Sequence, residues 1–334
     1  MKLSRLVLQN FRGVPDGDYA FTDQRTGAPL EAVLVTGGPA SGKTSFLEAI
    51  ATLKETVGGY GAPPDARKLV RHGRAAGRIE GTWILSPEEQ RRSGLTESAW
   101  PVSMGLGDRA GHVERDDKLA RFLGQYFREA THGKVEYVPS RRYVALPGRA
   151  AAPPISEQAE ARQRLARDPG KYALLLAWLT EAARGNLAEL AQMVEQRGVA
   201  RRSGLPDSLA SVKRAIADLA PHLRLVGLDT GDSAAGLSFA RATGERLAFE
   251  DLSDSEHQAV LFATLFARIG LGHSIVLVDT PELSMHPTAQ ARFFQSILAL
   301  GEDNQVFAAT SSSSILDQAI PRQIIRLASP TRGT

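Results

Sequence analysis

The run Gly37-Gly38-Pro39-Ala40-Ser41-Gly42-Lys43-Thr44 constrains this chain more than any other stretch. It fits the spacing G-x-x-x-x-G-K-[ST], a loop whose main-chain N–H groups cradle nucleotide phosphates. The flanks suit that reading. Glu31–Thr36 is a short β-rich run, and Thr44–Leu53 places Phe46, Leu47, Ile50 and Leu53 at helical spacing. A strand, a glycine loop and a helix N-terminus together make an anion site, because free N–H groups converge there and the helix dipole favours negative charge. Gly37 and Gly42 permit the backbone turns, Lys43 reaches the β- and γ-phosphates, and Thr44 offers its hydroxyl to Mg2+; Gly38, Pro39, Ala40, Ser41 and Ser45 complete the lining. The competing account is a glycine-rich turn that matches by chance, and the flanking elements weigh against it.

Composition sets outer bounds. A length of 334 residues implies two domains, or one carrying an insertion, and 43% hydrophobic residues suffice for a sizeable core. The absence of cysteine excludes a disulfide scaffold and thiolate metal sites and fits a reducing cytosol. Met1–Leu6 has a strand pattern without the apolar region of a signal peptide, and the longest near-apolar stretch, Ala259–Ala267, is too short to span a bilayer. The expectation is a cytoplasmic chain with no membrane partner. Net charge is mild at +3, but Arg67, Lys68, Arg71, His72, Arg74 and Arg78 cluster, and Arg141-Arg142, Arg149, Arg162, Arg164, Arg167 and Arg201-Arg202 follow. A solvated surface is the plainer account; a phosphate-tracking or acidic-partner surface is the sharper one.

Along the chain the expected division is 1–147, an N-terminal lobe with the phosphate loop; 148–222, a helical insertion; and 223–334, a C-terminal lobe. Strands are expected at Leu3–Phe11, Tyr19–Phe21, Ala32–Thr36, Arg78–Leu85 and Lys134–Val138, with a helix over Asp116–Ala130. After the breaker Ala150–Pro154 come helical patterns at Glu157–Arg167, Lys171–Arg184, Asn186–Gln196 and Asp207–Leu219, without sustained heptads. Leu174, Leu175, Trp178 and Leu179 read as core or lid packing. Strands then return at Leu223–Leu228, Leu237–Arg241 and Arg246–Phe249, followed by a helix over Ser255–Ile269 and the strand Ser274–Val278. A helix over Pro287–Leu300, a strand at Gln305–Ala309, a short helix at Ser314–Ala319 and a strand at Gln323–Leu327 complete an α/β pattern with a mainly parallel sheet.

A phosphate loop needs a carboxylate for its metal. Ile275–Val278 is an apolar strand ending in Asp279, which it would deliver beside Thr44 to hold Mg2+. Upstream, Ser253 and Glu256 have capping-box spacing ahead of an apolar helix.

Taken together, six segments resemble an ABC-type ATPase of the SMC/RecF/OLD-like branch, often described as AAA-family ATPases with an ABC-like head. They are Leu8-Gln9-Asn10-Phe11-Arg12; the phosphate loop; Tyr137-Val138-Pro139-Ser140-Arg141; Leu252-Ser253-Asp254-Ser255-Glu256, similar to the L-S-x-G-E signature; Asp279-Thr280-Pro281-Glu282 through Pro287, similar to D-E-P-E-x-x-L-H-P; and Thr310-Ser311-Ser312-Ser313-Ser314-Ile315-Leu316, similar to T-H-S-P-x-I-L. The insertion is not covered. The resemblance implies a P-loop NTPase fold, an ABC-type head with a mixed β-sheet subdomain. It implies ATP and Mg2+ as ligands, with Arg12 among the nucleotide-binding residues. It also implies a homodimer in which each nucleotide lies on one subunit's phosphate loop and under the other's Ser253.

Three positions depart from that pattern. Thr280 stands where the catalytic glutamate follows the strand aspartate, Ser311 stands at the switch histidine, and Ser255 at the signature glycine. A threonine hydroxyl is a poor base, and general-base help is worth roughly 10²–10⁴ in rate. Glu282, three positions beyond Asp279, is the candidate substitute base, so the candidate catalytic positions are Glu282, Thr280 and Ser311. The expected function is nucleotide-gated assembly with weak or absent hydrolysis, acting on a separate effector or nuclease protein, with DNA a candidate partner, in DNA repair or anti-phage defence. The alternative is an actively hydrolysing DNA-dependent motor or clamp. A P-loop small-molecule kinase fits less well, because the signature segment and the late strand aspartate are not features of that class.

Overall fold

The computed structural model describes residues 1–142, 156–197, 207–229 and 236–328. Arg149, Arg201 and Arg202, the breaker Ala150–Pro154 and the outer parts of the insertion lie outside the described residues.

Three sheets organise the chain. The first is antiparallel, in the order β2 (Gly17–Ala20), β1 (Lys2–Gln9), β4 (Ala76–Ile84), β5 (Ala99–Gly107), β6 (Val113–Glu114). The second is parallel, in the order β13 (Ile324–Leu327), β3 (Ala32–Gly37), β12 (Gln305–Ala309), β11 (Ile275–Asp279), β7 (Val135–Val138). The third is a three-stranded antiparallel sheet of β10 (Arg246–Ala248), β9 (Gly236–Arg241) and β8 (Leu223–Asp229). The helices are α1 (Lys43–Gly58), α2 (Pro87–Ser93), α3 (Asp117–Leu123), α4 (Glu157–Ala161), α5 (Ala173–Arg197), α6 (Ala210–Leu219), α7 (Asp254–Ile269), α8 (Pro287–Leu298) and α9 (Ser313–Leu316).

The central strands of the parallel sheet, β3, β12 and β11, are buried on both faces and are mostly apolar. Strand periodicity divides the side chains between two cores. Val33, Val35, Ile275, Leu277 and Phe307 join α1 and the antiparallel sheet. Leu34, Val276, Val278, Val306 and Ala308 face the other way, toward α7 and α8. The helical residues that follow Ser156 share this second core: Leu175, Leu179, Val212 and Ile216 pack in one cluster with Val260 and Phe262. The described helices of the insertion are therefore built onto the α7 and α8 face of the parallel sheet, and Gln305 stitches the sheets, its side chain bonding Leu3 N–H, Leu3 O and Leu30 O.

Several elements differ from the sequence expectation. The two helices expected on either side of Gly185 are one, α5, because a single glycine weakens a helix without ending it. The helix expected over Asp116–Ala130 stops at Leu123, with Gly124 as its C-cap. The helix expected over Glu157–Arg167 ends at Ala161. β5 and α2 were not foreseen; β5 contains Pro101, Gly105 and Gly107, which dilute its strand signal, yet it pairs with β4 along nine residues. Among the described residues no helix is long and apolar enough to cross a membrane.

Candidate nucleotide site

β3 runs into the phosphate loop and α1 leaves it. Gly42 has φ of 94°, a left-handed conformation that side chains resist. A Cβ there would also press on Val14 Cα at 3.2 Å and Gly13 O at 3.3 Å. At Gly37 a Cβ would lie 2.5 Å from Leu327 O and 2.5 Å from Ser41 Oγ. Lys43 Nζ folds back over the loop, donating to Gly37 O at 2.8 Å and Gly38 O at 3.0 Å. α1 begins with no side-chain cap and no acid in its first turn, so its leading N–H groups keep their anion-binding capacity. Ser41 Oγ is buried without a hydrogen-bond partner among the described residues. An uncapped helix start, an ammonium folded over the loop and an orphaned hydroxyl fit a polyphosphate.

The two halves of the chain meet at Thr44 and Asp279, the candidate metal position. Thr44 Oγ1 donates to Asp279 Oδ2 at 2.9 Å, across 235 residues of sequence. A hydroxyl and one carboxylate are the sparse oxygen set that Mg2+ accepts while keeping waters and phosphate oxygens.

Beyond Asp279 the backbone is held tightly. Thr280 has φ of 56°, rare for a β-branched residue. Its N–H donates to Ala309 O at 2.8 Å, and its carbonyl accepts from Arg142 Nη2 at 2.7 Å. The buried Arg142 guanidinium also donates to Asp279 O at 2.7 Å, Pro139 O at 3.0 Å and Gln258 Oε1 at 2.5 Å. Burial pulls its pKa down to about 10, so it stays charged at neutral pH. The Thr280 hydroxyl makes only a long contact, 3.5 Å, to Asp279 Oδ1.

Glu282 faces the end of β12. Its Oε2 accepts from Thr310 Oγ1 at 2.9 Å and its Oε1 from Ser311 N–H at 2.9 Å. Both oxygens are thus engaged in joining the turn after β11 to the switch segment. Ser311 enters through its backbone, and its neighbour Ser312 caps α9.

Ser253 is exposed and caps α7 in a reciprocal box: Glu256 N–H donates to Ser253 Oγ at 3.4 Å, and Ser253 N–H to Glu256 Oε2 at 2.8 Å. Ser255 is beside it, the two hydroxyls 3.2 Å apart. Arg241 from β9 and His222 also reach Glu256, each at 3.1 Å. Burial works to raise the Glu256 pKa, but Arg241 and the Ser253 N–H and hydroxyl outweigh it and bring it to about 2.

Arg12 sits in the loop after β1 with φ of 43°. Arg71 braces that loop, donating to Arg12 O at 2.9 Å, Val14 O at 2.5 Å and Asp16 Oδ1 at 2.7 Å. The same loop touches Gly42, which places Arg12 beside the phosphate loop, where its guanidinium is paired with Glu48 of α1. Part of the basic run is therefore internal: Arg71 is a brace, and Arg78 pairs with Glu80 and Glu114.

The structure brings together the loop residues 37–45, Arg12 and Asp279, with Thr280, Glu282 and Ser311 at the adjoining strand ends. Ser253 makes its hydrogen bonds within the first turn of its own helix. Sequence reasoning missed Glu48 and Gln258, and it singled out Arg141 in the run after Tyr137 although the buried arginine is the next residue, Arg142.

Residues 174–317, from α5 through α9, match the family model described as "AAA domain, putative AbiEii toxin, Type IV TA system". A comparison with curated proteins found no match to the sequence. Among solved structures, an Smc head bound to the C-terminal winged-helix domain of ScpA is similar with a TM-score of 0.55 and 11% identity, over 98% of this chain and 94% of that one. The Smc head domain with an extended coiled coil, bound to the C-terminal domain of ScpA from Pyrococcus furiosus, gives 0.53 and 13% identity over 97% and 93%. The SMC head domain from Thermotoga maritima gives 0.50 and 12% identity over 96% and 92%. The chain thus carries the fold of an ABC-type ATPase head of the SMC-like branch.

Proposed function

We propose that this chain binds Mg·ATP and uses it to close a head-to-head homodimer that gates a separate protein partner, with hydrolysis slow or absent. The observation that carries the nucleotide reading is the 2.9 Å bond from Thr44 to Asp279, which joins the phosphate loop to the end of β11 as a metal position requires. Gly37–Ser45 and Arg12 would hold the phosphates, and Thr44 and Asp279 would hold Mg2+. When bound, Mg2+ neutralises phosphate charge and aligns the β- and γ-phosphate oxygens. Ser253, exposed at the start of α7, would face the γ-phosphate of a second copy.

Slow turnover follows from the residues around the γ-phosphate end. Thr280 supplies no base, and Glu282 already accepts two hydrogen bonds from the switch segment. That engagement favours the gate over an actively hydrolysing DNA-dependent motor. Two of the similar Smc heads are bound to domains of ScpA, which supports a protein partner for this head as well. A role in DNA repair or anti-phage defence, with an effector such as a nuclease and with DNA as a further partner, is the setting this architecture suits. Light scattering with ATP or a non-hydrolysable analogue, run beside phosphate release from the same sample, tests the proposal. Nucleotide-dependent dimer without turnover is expected; turnover without a stable dimer overturns it.

A further inference from the structure

The segment between α4 and α5 reaches back to the nucleotide site. It is pinned to the edge strand β7 at two points: Tyr137 N–H donates to Arg164 O at 3.1 Å, and the buried Lys171 ammonium donates to Glu136 Oε1 at 2.9 Å and Arg164 O at 2.9 Å. Arg167 lies between these anchors, half-exposed. Its guanidinium is ion-paired with the buried carboxylate of Glu48, on the same Oε2 that Arg12 engages, while Glu48 Oε1 has no hydrogen-bond partner among the described residues. Glu48 is one helical turn beyond Thr44. Two cations on one carboxylate leave a surplus positive charge beside a loop built for anions.

We propose that Arg167 is a γ-phosphate-sensing residue: with Arg12 it forms a paired guanidinium clamp, and Glu48 holds Arg167 until a terminal phosphate takes its place. The charge balance supports the exchange. One carboxylate suffices for one guanidinium, so the second gains more from a terminal phosphate than from a shared oxygen. The ion pair with Glu48, four residues beyond Thr44 on α1, puts Arg167 on the Thr44 face of that helix, and the Gly42 contact puts the Arg12 loop against the phosphate loop. Because Arg167 belongs to a strap anchored at Arg164 and Lys171, its movement would carry the presence of γ-phosphate into the inserted helices. This inference rests on the nucleotide reading above and adds a sensor to it.

Calorimetric titration of the full chain with a non-hydrolysable ATP analogue and with ADP, in Mg2+, tests it on the wild type, Arg167→Ala and Arg167→Lys. Arg167→Ala should weaken the triphosphate by about tenfold or more while ADP moves by about twofold or less, and Arg167→Lys should recover part of the loss. Hydrogen exchange over residues 162–172 should change with the triphosphate in the wild type and not in Arg167→Ala. Equal weakening of ATP and ADP, or an unchanged triphosphate affinity, overturns the sensor while leaving nucleotide binding intact. A wild type that binds neither nucleotide overturns the nucleotide reading and the sensor with it. Arg167 is half-exposed, and a matching thermal melt checks that the variants fold.

Discussion

The phosphate-gripping part of the site and the part that would activate water have diverged in opposite ways. The first keeps each component in working position: Gly42 in its left-handed turn, Lys43 over the loop carbonyls, Thr44 on Asp279. The second has a threonine after Asp279, a serine at the start of the switch and an acid tied down at both oxygens. Gripping depends on backbone geometry and charge placement, which Thr280 and Ser311 leave alone. Turnover depends on one base at one position, so it can be lost without disturbing the fold.

The sharpest way to break that contrast is to restore the base. Thr280→Glu should raise phosphate release by roughly 10²–10⁴ if a base is all that is missing. The backbone there is fixed by Arg142 and Ala309, so the new side chain inherits a defined position. A rate that does not move would mean that Ser311 or Ser255 limits turnover too. Lys43→Ala attacks the other side: removing the ammonium from the loop should weaken ATP by about a hundredfold or more in calorimetry. Unchanged ATP affinity would sever the loop from the function assigned to it.

Smaller effects separate bracing from chemistry. Glu282→Gln keeps the shape but removes a charged acceptor from Thr310 and Ser311. It should cost about 1–2 kcal/mol in a denaturant melt and change phosphate release by less than about threefold. A large loss of turnover would instead make Glu282 the working base. Ser253→Ala removes the α7 cap and should cost about 1 kcal/mol. It should also abolish nucleotide-dependent dimerisation in light scattering, which a purely structural cap would not. The smallest effect concerns pH. Glu256 is depressed from an ordinary 4.5 to about 2, so its ion pairs contribute stability above about pH 4.5, and that contribution drains away as pH falls toward 2. Thermal melts should show that acid-side loss in the wild type and a weaker one in Arg241→Ala.

Much of the site was legible because its chemistry is local. The phosphate loop needs glycines at fixed offsets, and Asp279 needs only an apolar strand in front of it. The α7 cap was readable from Ser253 and Glu256 for the same reason. What stayed hidden comes from loops and long-range pairing. Glu48 is an ordinary helical acid until Arg12 and Arg167 converge on it. β5 lacks strand composition because β4 supplies a complete ladder of hydrogen bonds in its place. The helices beyond Ser156 read as a separate unit, since periodicity cannot say which core an apolar face joins. They share one with α7.

Arg142 fastens the first turns of α7, through Gln258, to the carbonyls at the end of β11. The helix capped at Ser253 and the acid at Asp279 are thereby joined through one buried guanidinium. In a nucleotide-bridged pair, any shift of the metal at one pocket would be transmitted through that link to the roof of the other. Communication between the two pockets would then need no loop rearrangement at all, only the rigidity of one buried guanidinium.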